Sequence, residues 1–180
     1  GTYLPYGRDE REVREWAIPG TPGLEHRLGG LEKEDKTGNV SYDPENHELM
    51  VKTRARKVAL VAKDYPKTEL IQGPDKAEVL VLGWGNTLGA IKVAVGEAIN
   101  QGLSVAQLHL RYINPLPDDL GELLSNYKRI LIPELNDGQL VRIIRDKYLV
   151  QADVLDKIQG KPFLAEEILE AIKKMVNYGE

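Results

Sequence analysis

From residue 68 onward the apolar positions follow two alternating periods. Ala77 to Leu82 (AEVLVL) is a near-continuous apolar run, the pattern of a strand buried on both faces. Residues 86–101 return to helical spacing, with Leu88, Ile91, Val95 and Ile99 on one face and Gly102 as the stop. Residues 104–110 read as a strand, 118–127 as a short helix after Pro115 and Pro117, and 129–132 (RILI) as another buried strand. A helix over 138–148 turns Leu140, Ile143, Ile144 and Tyr148 inward, and 152–158 is the last strand. Residues 162–176 close the series as a helix with the stripe Leu164, Ile168, Ala171, Ile172 and Met175, and with Glu170–Lys174 as an i,i+4 pair. Buried strands separated by one-striped helices predict an α/β fold. The expected form is a three-layer sandwich with a mainly parallel sheet, its strands at 77–82, 104–110 and 129–132 central.

The first third of the chain follows neither period. A helix is expected over 43–64, with Asp43 as N-cap, Pro44 at the first helical position and Pro66 beyond its end. Its apolar stripe is read as Val51, Ala55, Val58 and Ala62. Residues 1–42 are punctuated by prolines and glycines, most densely at Ile18-Pro19-Gly20-Thr21-Pro22-Gly23. Irregular segments beyond about 15 residues are uncommon inside compact domains. This one carries Trp16, Ile18, Leu24, Leu28 and Leu31, so it is expected to pack onto a surface rather than act as a solvated linker. The expected division is an irregular arm and helix over 1–66, then an α/β domain over 67–180.

Composition narrows the chemistry. The 180 residues contain no cysteine, which removes disulfides, a thiolate nucleophile and cysteine-held zinc or iron–sulfur sites. The net charge of −4 argues against nucleic-acid binding, which calls for a strongly basic face. Apolar runs are too short to span a bilayer, and no charged-then-apolar leader opens the sequence, so the expectation is no membrane contact and a cytoplasmic location.

Polar residues gather at the ends of the expected strands. Gly83-Trp84-Gly85-Asn86-Thr87-Leu88-Gly89 follows a strand and opens a helix. Gly83 and Gly85 suit either a tight packing turn or an anion approaching a helix start, with Asn86 and Thr87 as donors. A dinucleotide fingerprint requires G-x-G-x-x-G and an acid ending the next strand; here the third glycine is one place late and the strand ends Leu108-His109-Leu110-Arg111. Arg111 sits at the carboxyl edge, where it suits either a carboxylate or phosphate clamp or an ion pair. Glu134 and Asn136 occupy the same edge, and Glu134 is either an interface group or a partner for Arg111. His26, His47 and His109 have no second ligand at metal spacing, so no metal site is expected. The serines fit no G-x-S-x-G motif, and there is no P-loop.

Long loop strings carry a family resemblance. WAIPGTPGLEHR (16–27), GGLEK (29–33) and GNVSYDPENH (38–47) resemble the alpha subunit of 2-oxoacid:ferredoxin (acceptor) oxidoreductases of the 2-oxoglutarate type. VLGWGNT (81–87), LRYINPLP (110–117), IPELN (132–136), GQL (138–140) and QGKPF (159–163) are similar to that family's transketolase C-terminal-like domain. The resemblance implies a C-terminal part of a longer alpha subunit: the tail of a pyrimidine-type domain over 1–66, then the transketolase C-terminal-like domain. It implies oxidative decarboxylation of a 2-oxoacid, 2-oxoglutarate by preference, to an acyl-CoA on thiamine diphosphate and Mg. Electrons would pass through iron–sulfur clusters to ferredoxin. The Gly-Asp-Gly…Asn thiamine motif is missing, since Asn136-Asp137-Gly138 does not match it. No cofactor is therefore expected on this chain alone, no catalytic residue is assigned, and the isolated chain is expected to be inactive, with a structural and assembly role beside a beta subunit. His26 and Arg27 are the candidate loop facing substrate or partner. A homodimer burying Trp16, Leu24 and Leu31 is another arrangement of the arm. The alternative to the whole reading is a free-standing nucleotide- or anion-binding α/β module.

Overall fold

The apolar run beginning at Ala77 becomes the middle of a sheet. The computed structural model describes residues 2–177. Its strands are β1 (Leu70–Gln72), β2 (Ala77–Trp84), β3 (Val105–Leu110), β4 (Tyr127–Glu134) and β5 (Ala152–Asp156), in the spatial order β1-β3-β2-β4-β5. β2 pairs in parallel with β3 on one side and β4 on the other, and β5 adds in parallel to β4. The three strands expected to be central are the inner three. β1 lies outside the expected strands: three residues are too few to show a period, and it runs antiparallel along the outer edge of β3.

Period-2 alternation sends β2 into two cores. Leu80 and Leu82 pack with Leu108, Ile130 and Ile132 under helices α3 (Leu120–Leu124) and α4 (Gln139–Tyr148). Val79 and Val81 face the other way, against Ile91 and Val95 of α2 (Leu88–Asn100) and Ile168 and Ile172 of α5 (Ala165–Asn177). This is the expected three-layer sandwich.

Several helix faces are rotated from expectation. On α2 the buried set is Ile91, Ala94, Val95 and Ala98, while Leu88 and Ile99 are exposed. The small side chains let α2 lie close to α5, so burial follows Ala rather than the bulkier neighbours. Val141 replaces Ile143 as an inward residue of α4, and Leu164 precedes α5 and is exposed. The helix expected over 118–127 shortens to α3 because Tyr127 already belongs to β4. Glu170 pairs with Lys173 at 3.0 Å instead of Lys174.

The chain divides into two compact units, residues 1–65 and 66–180. Among the described residues the first has no strand ladder, only isolated antiparallel bridges at Tyr6–Lys36, Arg8–Arg14 and Lys33–Val40. Its helix α1 is Pro44–Leu60, continued by a 3-10 turn over Val61–Asp64. Asp43 caps it, accepting from the Glu45 amide at 2.9 Å. Of the expected stripe only Ala62 is buried; Val51, Ala55 and Val58 are exposed, and Met50 and Thr53 are buried instead. The unit offers its packing surface to the Met50 side. Asn46 bridges that side to the loop, donating to the Lys33 carbonyl at 2.9 Å and accepting from the Asp35 amide at 3.0 Å.

Candidate functional site

At the carboxyl edge of the sheet, the glycine turn is occupied by its own structure. Gly83 is buried opposite His109 in the β2–β3 register. A Cβ on Gly83 would lie 2.5 Å from Ile91 Cδ1 and 3.0 Å from His109 Nδ1. Gly85 opens a 3-10 turn, Gly85–Thr87, at φ +59°, where glycine is favoured, and a Cβ there would meet nothing within 4 Å. Thr87 is buried, and its hydroxyl donates to the Trp84 carbonyl at 2.8 Å while accepting from the Trp84 amide at 3.3 Å. Thr87 is therefore spent on the turn, and Gly85 and Asn86 are the candidate residues of it that face solvent.

Glu134 belongs to α4 rather than to Arg111. It ends β4 fully buried and accepts the Leu140 and Val141 amides at 2.9 Å each. A carboxylate is thus bonded to the otherwise orphaned donors of a helix start. Asn136 accepts the Gln139 amide at 2.9 Å, and Gly138 turns the chain into α4 at φ +73°. Arg111 is exposed and makes no ion pair among the described residues. It lines a cavity of about 310 Å³ with Lys67, Thr68, Ile71 and His109.

His109 acquires a role that no spacing in the sequence marks, because it depends on the register with Gly83. Its Nδ1 is buried without a hydrogen-bond partner. Burial pushes its pKa down, a bond with the Gly85 backbone opposes this, and the charge of Arg111 adds to the lowering. The neutral imidazole is the favoured form.

The second candidate, the arm loop, lies in the other unit. Gly20 (φ +87°) and Gly23 (φ +82°) make successive turns. His26 Nδ1–H donates to the Leu24 carbonyl at 2.8 Å, and its ring meets Tyr3 edge-on at 5.5 Å. Arg27 is exposed and makes no ion pair among the described residues. Nearby, Glu32 is gripped by Arg54 through both oxygens, at 3.2 and 3.4 Å, and by His47 at 2.7 Å. The Arg54 bonds hold its carboxyl below the usual range, against a smaller opposing effect of burial, with His47 assisting.

The chain has no thiolate for an iron–sulfur cluster, and among the described residues no three His, Asp or Glu side chains cluster to hold a metal. Among the same residues no helix is long and apolar enough to cross a membrane.

Residues 77–175, which contain every strand but β1, match the family model of pyruvate:ferredoxin oxidoreductase core domain II. The chain belongs to this family. The 2-oxoglutarate oxidoreductase subunit KorA of Mycobacterium tuberculosis is 47% identical over 167 residues, covering 92% of this chain and 25% of KorA. The 2-oxoacid:ferredoxin oxidoreductase subunit alpha of Saccharolobus solfataricus is 27% identical over 154 residues, covering 83% of this chain and 24% of that subunit. Among solved structures, the 2-oxoglutarate:ferredoxin oxidoreductase from Magnetococcus marinus, with 2-oxoglutarate, coenzyme A and succinyl-CoA bound, superposes with a TM-score of 0.89 at 31% identity. That match covers 98% of this chain and 31% of the other. The core domain II chain thus spans about a quarter of the length of the curated relatives it matches.

Proposed function

We propose that this chain is the C-terminal part of the alpha subunit of a thiamine-diphosphate-dependent 2-oxoacid:ferredoxin oxidoreductase, where it serves as a structural and assembly domain. The observation that carries the reading is the agreement of both units, arm included, with one chain of the Magnetococcus marinus enzyme. An arm without regular structure does not reach that likeness through a common sheet architecture alone. The 47% identity to a 2-oxoglutarate oxidoreductase subunit favours 2-oxoglutarate as the oxoacid and succinyl-CoA as the product.

In this reading the chain contributes surface and rigidity rather than chemistry. Thiamine diphosphate supplies the decarboxylation when bound, and it, Mg and the iron–sulfur clusters belong on a beta subunit or elsewhere in the complex. The pyrimidine-type domain would end within 1–66, and the transketolase C-terminal-like domain would occupy 67–180. Trp16, Ile18 and Leu28 cover a surface provided by the rest of the assembly. Arg27 offers a charged fork, and His26 Nε2 a ring nitrogen, to the substrate or partner side. Ferredoxin is met through the complex, and a cytoplasmic setting accompanies this chemistry.

The test is 2-oxoglutarate- and coenzyme-A-dependent reduction of ferredoxin, measured with this chain alone and with the remaining alpha and beta segments added. No turnover alone and turnover on assembly is the expected pair of results. Turnover by the isolated chain, or failure to associate with the other segments, would remove the reading. In the assembled enzyme, His26→Ala and Arg27→Ala are expected to lower turnover with association intact; unchanged turnover in both assigns the loop to scaffold.

A further inference from the structure

The first unit contains a cavity that the assembly role does not use. Its volume is about 460 Å³, and it is walled by Arg8, Arg14, Lys33, Arg54 and Lys57, with Glu32 the one carboxylate in its lining. Glu32 is already committed to Arg54 and His47. The other four cations face the concavity with no carboxylate partner among the described residues. Arg8 donates to the Glu12 carbonyl at 3.0 Å and Arg14 to the Pro5 carbonyl at 3.3 Å. Lys33 is 3% exposed, and its ammonium donates to the Gly29 and Leu31 carbonyls at 2.7 Å each. Carbonyls satisfy donors but neutralise no charge. Arg8 Nε is buried with no acceptor at all.

Gathering four like charges around one hollow, one of them nearly out of water, is unfavourable unless an anion joins them. The guanidinium groups are also held in place: Arg8 and Arg14 lie 5.9 and 4.4 Å from the centre of the Tyr6 ring. A fixed pair of guanidinium forks suits oxyanions, and the number of cations exceeds what a single carboxylate neutralises. We propose that this cavity is an anion site that takes a phosphate-bearing ligand. It is formed within residues 1–65, and Arg14 and Lys57 also line a second cavity of about 320 Å³ that His26 borders. The site is read by ligand binding and not by turnover, so its failure would leave the proposed enzyme role untouched.

The experiment is calorimetric titration of the full chain with inorganic pyrophosphate at fixed ionic strength. Saturable binding of one equivalent is expected. Lys57 is exposed and makes no ion pair among the described residues, so Lys57→Glu changes the cavity charge with little cost to the fold. It should weaken binding by about tenfold or more. Lys63→Glu, on the same unit but outside the cavity, should leave binding unchanged. Arg14→Gln, with its fold checked by circular dichroism, carries the same expectation of weakened binding should Lys57→Glu fail to fold. Absence of saturable binding overturns the site. So does binding that is equal in all variants, or weakened equally by Lys57→Glu and Lys63→Glu, since either marks diffuse attraction to a charged surface.

Discussion

The two units bury apolar surface very unequally. In residues 66–180 the strands send side chains into two cores, and residues such as Leu80, Val81, Ile91, Leu108 and Ile168 have no exposure. In residues 1–65 the buried apolar side chains are few, Met50 and Ala62 chief among them. There Trp16 is 89% exposed, Tyr42 84%, Leu28 69% and Ile18 68%. Large apolar groups of this kind, clustered in one segment, mark a surface meant for contact. The second unit specifies its structure from within. The first is held by turns, ion pairs and the α1 cap, and its apolar content is addressed to something outside itself.

Hydrogen exchange gives the widest separation. Amides of β2 and β4 should exchange only through global unfolding, while most amides of residues 1–42 should exchange at the earliest labelling times in the isolated chain. Protection of the arm equal to that of β2 would break the contrast by showing that the arm has a stable core of its own.

Next in size is Glu134. Glu134→Ala removes the acceptor of two buried amides and should cost about 3 kcal/mol in urea denaturation, whereas Glu134→Gln, which keeps one carbonyl acceptor, should cost about half as much. A loss below about 1 kcal/mol for the alanine variant would mean that α4 does not depend on this cap.

The glycine turn separates close packing from backbone conformation. Gly83→Ala should cost about 2 kcal/mol, because Ile91 is fully buried and cannot yield to the new methyl group. Gly85→Val should cost about 1–2 kcal/mol through its positive φ, with no clash. Equal tolerance of both would remove the packing role of the turn.

The smallest effect is a pH slope. The folded state lowers the pKa of His109, so the unfolded chain takes up that proton first as pH falls. The stability associated with the neutral ring is present above the unfolded histidine value, near 6.5, and is lost as pH falls through the lower folded value. Denaturation midpoints should therefore decline on acidification from pH 7.5 to 5. His109→Gln should flatten the decline, and an unchanged slope would show that His109 does not contribute to it.

The sheet was legible because strands buried on both faces leave unbroken apolar runs, and because the glycine and proline turns between elements are explicit. Helix rotation was less so. On α2, Ala94 and Ala98 outrank Leu88 and Ile99 for burial through the proximity of α5, a tertiary fact that no local period encodes. Val51, Ala55 and Val58 are exposed on α1 for a related reason: periodicity marks a face able to be buried, not the side on which the unit supplies a partner. At the candidate sites, single residues misled. Glu134 was recognisable as an edge residue, but its bond to α4 requires the β4–α4 turn in three dimensions. The pairing of Gly83 with His109 needs the parallel register, and the cavity cations are scattered from Arg8 to Lys57. The family loops were readable as strings because each has an unusual fixed composition.

β1 has a consequence for how these molecules meet one another. A sheet of this kind ends in a row of unpaired backbone groups, and such a row invites a strand from a second molecule. On the β3 side that invitation is withdrawn. The closing strand is three residues long, reversed in direction and out of regular register between Leu70 and Gln72. Gly73 follows at φ +89°, so close to β3 that a Cβ would lie 2.5 Å from the Val105 carbonyl oxygen. A template this short and irregular cannot be extended into a continuous inter-molecular sheet, so β1 protects the fold against growing into aggregates from that side.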